Sequence, residues 1–322
     1  MVKDFQDKGY IARREQLMGY RKVQLTEGRA KGCSVIEVWT EKGLHAEILP
    51  DSGLDIGVVR FKGLNMSYLS KNGYDNPFLV NPLEKEFVNT FPGGMLYTCG
   101  LRQAGPPCRD NEEWHPQHGR CHGIPAEEVS CAIEGDEIII KGKVRETALF
   151  GHSLELSRRI SISDSSIKVD DELVNNAKSA QEFMILYHMN FGYPMLSEKA
   201  FLDFPNGMTS VRTDFSKAGL EDFKTVDCPK DNEEERVFFH DLEEYWVKLT
   251  NPEIGIAANL SWSGKTLPVL AHWRSMASGD YALGLEPANN YVLGRVKERE
   301  NGTLKTILAG QAIEFGVELR FD

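Results

Sequence analysis

Leu154-Glu155-Leu156-Ser157-Arg158-Arg159-Ile160-Ser161-Ile162 alternates with a period of two, breaks at Ser163-Asp164-Ser165-Ser166, and resumes as Ile167-Lys168-Val169-Asp170-Asp171-Glu172-Leu173-Val174. Alternation of this kind puts successive side chains on opposite faces of a pleated strand, and the Ser/Asp cluster supplies turn chemistry between two such strands. The same period returns at Cys33 to Thr40, Ile138 to Arg145, Phe183 to Met189, Tyr245 to Leu249, Tyr281 to Leu285 and Ala312 to Leu319. Glu134-Gly135-Asp136, Asn175-Asn176, Phe204-Pro205-Asn206-Gly207 and Asn301-Gly302 punctuate these runs. Helical periodicity is confined to short segments near Asp7 to Met18 and Leu83 to Val88. Many short antiparallel strands without βαβ alternation predict an all-β chain, and a sheet this long must close or pack on a second one to hide its edges. A large antiparallel β-sandwich over residues 1–322, forming a single domain, is therefore expected.

The chain has 322 residues, of which 41% are hydrophobic and 26% charged, the composition of a folded globular protein rather than a disordered or membrane one. Its formal net charge is -11 and no stretch gathers lysine and arginine into a stripe, which argues against nucleic acid as a partner. The N-terminus lacks a secretory apolar core and no run is long enough to span a bilayer, so a cytoplasmic location with no membrane partner is expected. Six irregularly spaced cysteines with no CxxC pair predict reduced thiols instead of disulfides or structural zinc. The acidic runs Asp231 to Glu235 and Asp241 to Glu244 read as a solvated loop and the start of a strand.

Pro106 to Pro125 is a long loop carrying four prolines, two cysteines, three histidines and Trp114. Loops of such length in compact domains are usually functional or mobile. In Phe183-Met184-Ile185-Leu186-Tyr187-His188-Met189-Asn190, alternation places His188 and Asn190 on one face and Tyr187 on the other. That face is either a packed core with a hydrogen-bonded imidazole or the wall of a pocket. Glu286 follows the apolar Ala282-Leu283-Gly284-Leu285 and precedes Pro287, which is expected to end the strand. A carboxylate there needs a cleft, or a salt bridge such as one to Arg274 or Arg295. Arg102 closes the Gly93–Leu101 stretch, and its forked guanidinium suits sugar hydroxyls or an exposed surface equally. His118 and His122, four apart among glycines, also admit a metal reading with Glu127. Trp246, Trp262 and Trp273 offer flat faces for a sugar or for core packing, whereas Asp51 and Asp55 read first as turn formers.

With Arg102, His118-Gly119-Arg120, His188 and Gly284-Leu285-Glu286-Pro287 in that order on a β background, the chain resembles the galactose mutarotase (aldose 1-epimerase) superfamily along nearly its whole length. The resemblance implies a supersandwich with its site in a concave groove, and a small-molecule carbohydrate as partner. It implies that His188 protonates the ring oxygen while Glu286 takes the anomeric hydroxyl proton, and that Arg102 and His118 position substrate. His122, Asn190, Asp241 and Trp273 complete the expected substrate-binding set. Such chemistry calls for neither cofactor nor metal, and a homodimer is compatible with it. The alternatives are a metal-dependent sugar isomerase or epimerase using the same pocket, and a carbohydrate-binding protein without turnover.

Overall fold

The computed structural model describes residues 2–79 and 83–322. Its described strands form a twelve-stranded sheet, an eight-stranded sheet and one two-stranded hairpin, with every named strand pairing antiparallel. The opening pair, Ser153–Ile162 and Ser166–Asn175, forms an antiparallel hairpin of the smaller sheet in the register its alternation dictates. The other runs picked out by their period are likewise strands. Among the described residues no helix is long and apolar enough to cross a membrane.

Asp7 to Met18 departs from its expected helicity. The helix there spans Val2–Asp7 and stops where Gly9 turns to a φ of 80°, and only a 3-10 turn at Arg14–Gln16 follows. The second expected helix reduces to Phe87–Thr90, and a helix at Arg295–Glu300 carried no clear apolar stripe to announce it.

The larger sheet is covered on both faces around its central strands. Along Gln181–Phe191, the odd residues Phe183, Ile185, Tyr187, Met189 and Phe191 join the main core between the sheets, while Met184 and Leu186 join a second cluster on the outer face. His188 and Asn190 share that outer face, as the alternation predicts. Tyr97 joins this outer cluster from the adjacent Leu96–Leu101 strand, where it pairs with His188, and Tyr68, Phe91, Ala104 and Val292 cover the strand locally. The roof turns an otherwise solvated sheet face into a lined hollow.

Beneath this strand the two sheets are bolted by a buried ionic network. Arg158, in register with the apolar positions of its strand, donates to Asp171 at 2.7 Å, Asp55 at 2.7 Å and the Thr98 hydroxyl at 2.9 Å. The Tyr187 hydroxyl donates to Asp171 at 2.7 Å. Asp55 is no turn former: it opens the Asp55–Phe61 strand and is fully buried. Removing one member of such a network strands the others without compensation. Arg158→Met is expected to cost about 3–5 kcal/mol in urea unfolding, and a cost below about 1 kcal/mol would mean the network is not what ties the sheets.

Candidate active site

Register brings the two principal candidates together. Leu186 pairs with Ala288 and Met189 with Leu285, so His188 stands directly across from Glu286 on the neighbouring strand, on the same face. The paired positions skip the intervening residues, where Pro287 has no amide hydrogen to give. Pro287 does not end the strand, which runs on to Ala288 by pairing with Val269–Ala277. His188 Nε2 and Glu286 Oε1 are 3.2 Å apart, with the two side chains 6% and 4% exposed. The contact lacks hydrogen-bond alignment: Glu286 Oε1 and His188 Nδ1 are buried without partners. Neither Arg274 nor Arg295 reaches Glu286; they pair with Asp222 and Asp227, and with Asp110 and Glu182. An unsatisfied buried carboxyl oxygen on a residue that lines a hollow is costly to keep unless a ligand uses it.

Gly284 makes room for the pair. A Cβ there would sit 2.3 Å from Glu286 Oε1 and 3.2 Å from His188 Cε1. Gly284→Ala is therefore expected to displace the carboxyl and lower turnover by on the order of 100-fold with little loss of fold. Steady-state rates alongside a thermal melt check this; an unimpaired rate would show that the observed geometry is not required.

The rest of the hollow comes from loops and the next strands. It encloses about 510 Å³, part of it open to solvent, and Phe87, Phe91, His118, Arg212, Glu235 and Trp273 line it with the pair. His188 is boxed by Phe91 at 5.4 Å, Trp273 at 5.5 Å and His118 at 6.0 Å between ring centroids. His118 adopts a φ of 61°, and its Nδ1 accepts from the Gly105 amide at 3.5 Å. That acceptance fixes the tautomer with the proton on Nε2, a donor available to a ligand. Gly119 follows because a Cβ would lie 2.3 Å from the Gly100 carbonyl oxygen. At the mouth Arg212 pairs with Glu235, whose second oxygen accepts from Trp273 Nε1 at 2.8 Å.

Burial dominates the electrostatics. It pushes the Glu286 carboxyl well above its ordinary range, with Arg212 pulling down and Glu235 pushing up. It lowers His188 to about 3, helped by His118, and lowers His118 to about 4, helped by Arg212. Both shifts act in one sense, favouring the proton on the Glu286 carboxyl and a neutral imidazole 3.2 Å away.

Of the expected site residues, His118 and Trp273 join His188 and Glu286. Arg102 does not: its guanidinium turns to Glu113 of the Cys108–Asp110/Glu113–His115 hairpin, beside Arg120 and Glu146. Asn190 is fully buried behind His188, donating to the His188 carbonyl at 2.9 Å. Asp241 accepts from Tyr291 and lines a different hollow with His240 and Phe204. His122 points to another cavity, its Nδ1 2.7 Å from Asp55. The metal reading fails on placement, since His118 and His122 diverge and Glu127 pairs with Arg145. Among the described residues no group of three His, Cys, Asp or Glu is arranged to hold an ion. Trp246 and Trp262 lie outside the site, Trp262 in the main core. Sequence reasoning missed Arg212 and Glu235; Glu235 ended an acidic run that looked solvated, and Arg212 sat in no motif.

The fold is shared with solved structures. A "putative aldose 1-epimerase" from Klebsiella pneumoniae superposes with a TM-score of 0.89 at 23% identity, covering 98% of this chain and 86% of that one. A galactose mutarotase-like protein from Clostridium acetobutylicum gives 0.68 at 12% identity, over 95% and 99%. A galactose 1-epimerase from Lactobacillus acidophilus gives 0.64 at 13%, again over 95% and 99%. No curated protein matches the chain. These likenesses establish a galactose mutarotase-like β-sandwich, as the sequence led one to expect. A family model described as a domain of unknown function (DUF4432) matches residues 30–321, and the chain belongs to that family.

Proposed function

We propose that the protein is an isomerase interconverting the α and β anomers of a neutral aldose by acid–base ring opening. The observation that carries this reading is the cross-strand His188–Glu286 pair, 3.2 Å apart, buried, incompletely hydrogen-bonded and facing a hollow walled by aromatic rings. Glu286 as carboxylate removes the O1 proton while His188 as imidazolium gives one to O5; the C1–O5 bond breaks and an open-chain aldehyde forms. Rotation about C1–C2 and reclosure on the other carbonyl face run both transfers backwards, leaving each group as it began. The cycle needs one proton on the pair, and a sugar hydroxyl that solvates Glu286 favours its placement on His188. His118 Nε2–H and the Trp273 face are suited to orient the ring.

The mouth favours an uncharged sugar. Arg212 is neutralised by Glu235, and Glu235 is held in turn by Trp273. A sugar acid or phosphate would have to break that pair, so neutral aldoses are the first substrates to try.

Polarimetry tests the reading. Freshly dissolved α-glucose, α-galactose and other neutral aldoses should relax to equilibrium faster with catalytic amounts of enzyme. No acceleration for any of them would overturn it. The pH profile carries a second signature: activity needs one proton on the pair, so it falls as pH rises through the raised Glu286 value and again toward about 3, where His188 titrates. Arg212→Met should move the alkaline limb up and Glu235→Gln should move it down, because the first removes a positive and the second a negative neighbour of Glu286. Limbs that stay fixed in both variants would dissociate Glu286 from the profile.

A further inference from the structure

A second hollow adjoins the first. It encloses about 630 Å³, part of it open to solvent, and Phe87 and Gln117 line both. Phe87 is the partition: its ring lies 4.7 Å from His118 on one side and 5.5 Å from Tyr97 on the other. The mechanism above uses nothing in this second space, yet the space is equipped with polar groups.

His122 is held there by two contacts. Its ring stacks on Tyr97 with centroids 3.9 Å apart, and Nδ1 lies 2.7 Å from Asp55. Asp55 also accepts from Arg158 and from the Thr98 amide, which keeps it anionic and makes it the acceptor of the His122 Nδ1 proton. In the neutral ring, Nε2 is then left as a lone-pair acceptor. Asp75 also lines the hollow, with a side chain only 6% exposed. Arg29 Nε comes within 2.5 Å of it, but neither carboxyl oxygen makes an aligned hydrogen bond. A buried carboxylate with both oxygens unsatisfied is costly without a hydroxyl or amide partner. Pro77, Pro92 and Pro116 add apolar walls, and Arg120 sits at the side. Acceptors for hydroxyl protons set between flat apolar surfaces suit a second sugar ring.

We infer that this hollow is the subsite for the next unit of the substrate, so that the preferred substrate is a reducing disaccharide or longer glycan whose reducing-end ring sits at the His188–Glu286 pair. This rests on the proposed anomer interconversion for the first hollow, whereas the binding it requires does not.

Exchange NMR between anomers of glucose and galactose, against maltose and lactose, tests the inference with wild type and Asp75→Asn. Wild type should exchange at least one two-ring sugar roughly tenfold or more faster, as kcat/KM, than the single rings. Asp75→Asn keeps the shape but weakens the acceptor, and should erase that advantage while leaving single-ring exchange within about twofold. His122→Gln, accepted only if its melting temperature is retained, should act in the same way. Equal rates on one and two rings in wild type, or equal losses on both in Asp75→Asn, overturn the subsite. Saturation-transfer NMR on Glu286→Gln separates the two readings. Asp75-dependent binding of two-ring sugars without exchange by wild type leaves the subsite standing and removes the epimerase; single-ring exchange with no two-ring preference does the reverse. No binding of any of these sugars removes the subsite.

Discussion

Glu286→Gln is expected to lower anomer exchange by roughly 10² to 10⁴ while making the protein more stable at alkaline pH. The two effects have one cause. Burial raises the carboxyl well above its ordinary value of 4.5, so the folded state binds a proton that the unfolded chain releases. The stability linked to that proton is complete below 4.5 and is lost as pH rises through the folded value. The amide keeps the shape, cannot ionise and removes the loss, so its melting temperature should exceed that of wild type by a margin that widens with pH. Calorimetry from pH 5 to pH 9, paired with exchange rates, checks both halves. A variant that is inactive and also broadly unstable would show Glu286 to be a structural residue.

His188→Gln should bring exchange down to the same floor, and the double variant should lose little more, since two groups passing one proton act as a unit. Losses that multiply would show two independent contributions and contradict the shared proton. The stability signature has the opposite sign from that of Glu286. The folded His188 value of about 3 lies below the ordinary 6.5, so the stability linked to its neutral form is present above 6.5 and is lost as pH falls toward 3. His188→Gln should therefore flatten the acid side of the stability curve and leave the alkaline side alone.

The fold was legible because period two is a local property: Leu154–Ile162, Ile167–Val174 and Phe183–Met189 each announce a strand without knowledge of any neighbour. The same alternation placed His188 opposite Tyr187, and they do face different clusters. What the chain does not spell out is which strands become neighbours. His188 and Glu286 lie about a hundred residues apart, and only the register of two non-consecutive strands sets them across from each other. Arg102 and His122 lie apart from the His188–Glu286 pair for the same reason: each has a carboxylate, Glu113 or Asp55, that meets it only after folding. Asp55 looked like a turn because its buried guanidinium partner lies 103 residues away. Glu235 looked solvated because an acidic run says nothing of the tryptophan and arginine that claim its last member. Pro287 was taken for a stop because a missing amide usually ends a strand, whereas here the strand keeps pairing on its other side.

The central claim is that His188 and Glu286 flank an anomeric centre. A crystal structure of the Glu286→Gln variant soaked with a neutral aldose measures this most directly. The account predicts O5 within hydrogen-bonding reach of His188 Nε2, O1 within reach of the residue 286 side chain, and the ring against Trp273. A sugar bound only elsewhere, or one whose anomeric carbon faces away from both side chains, contradicts it.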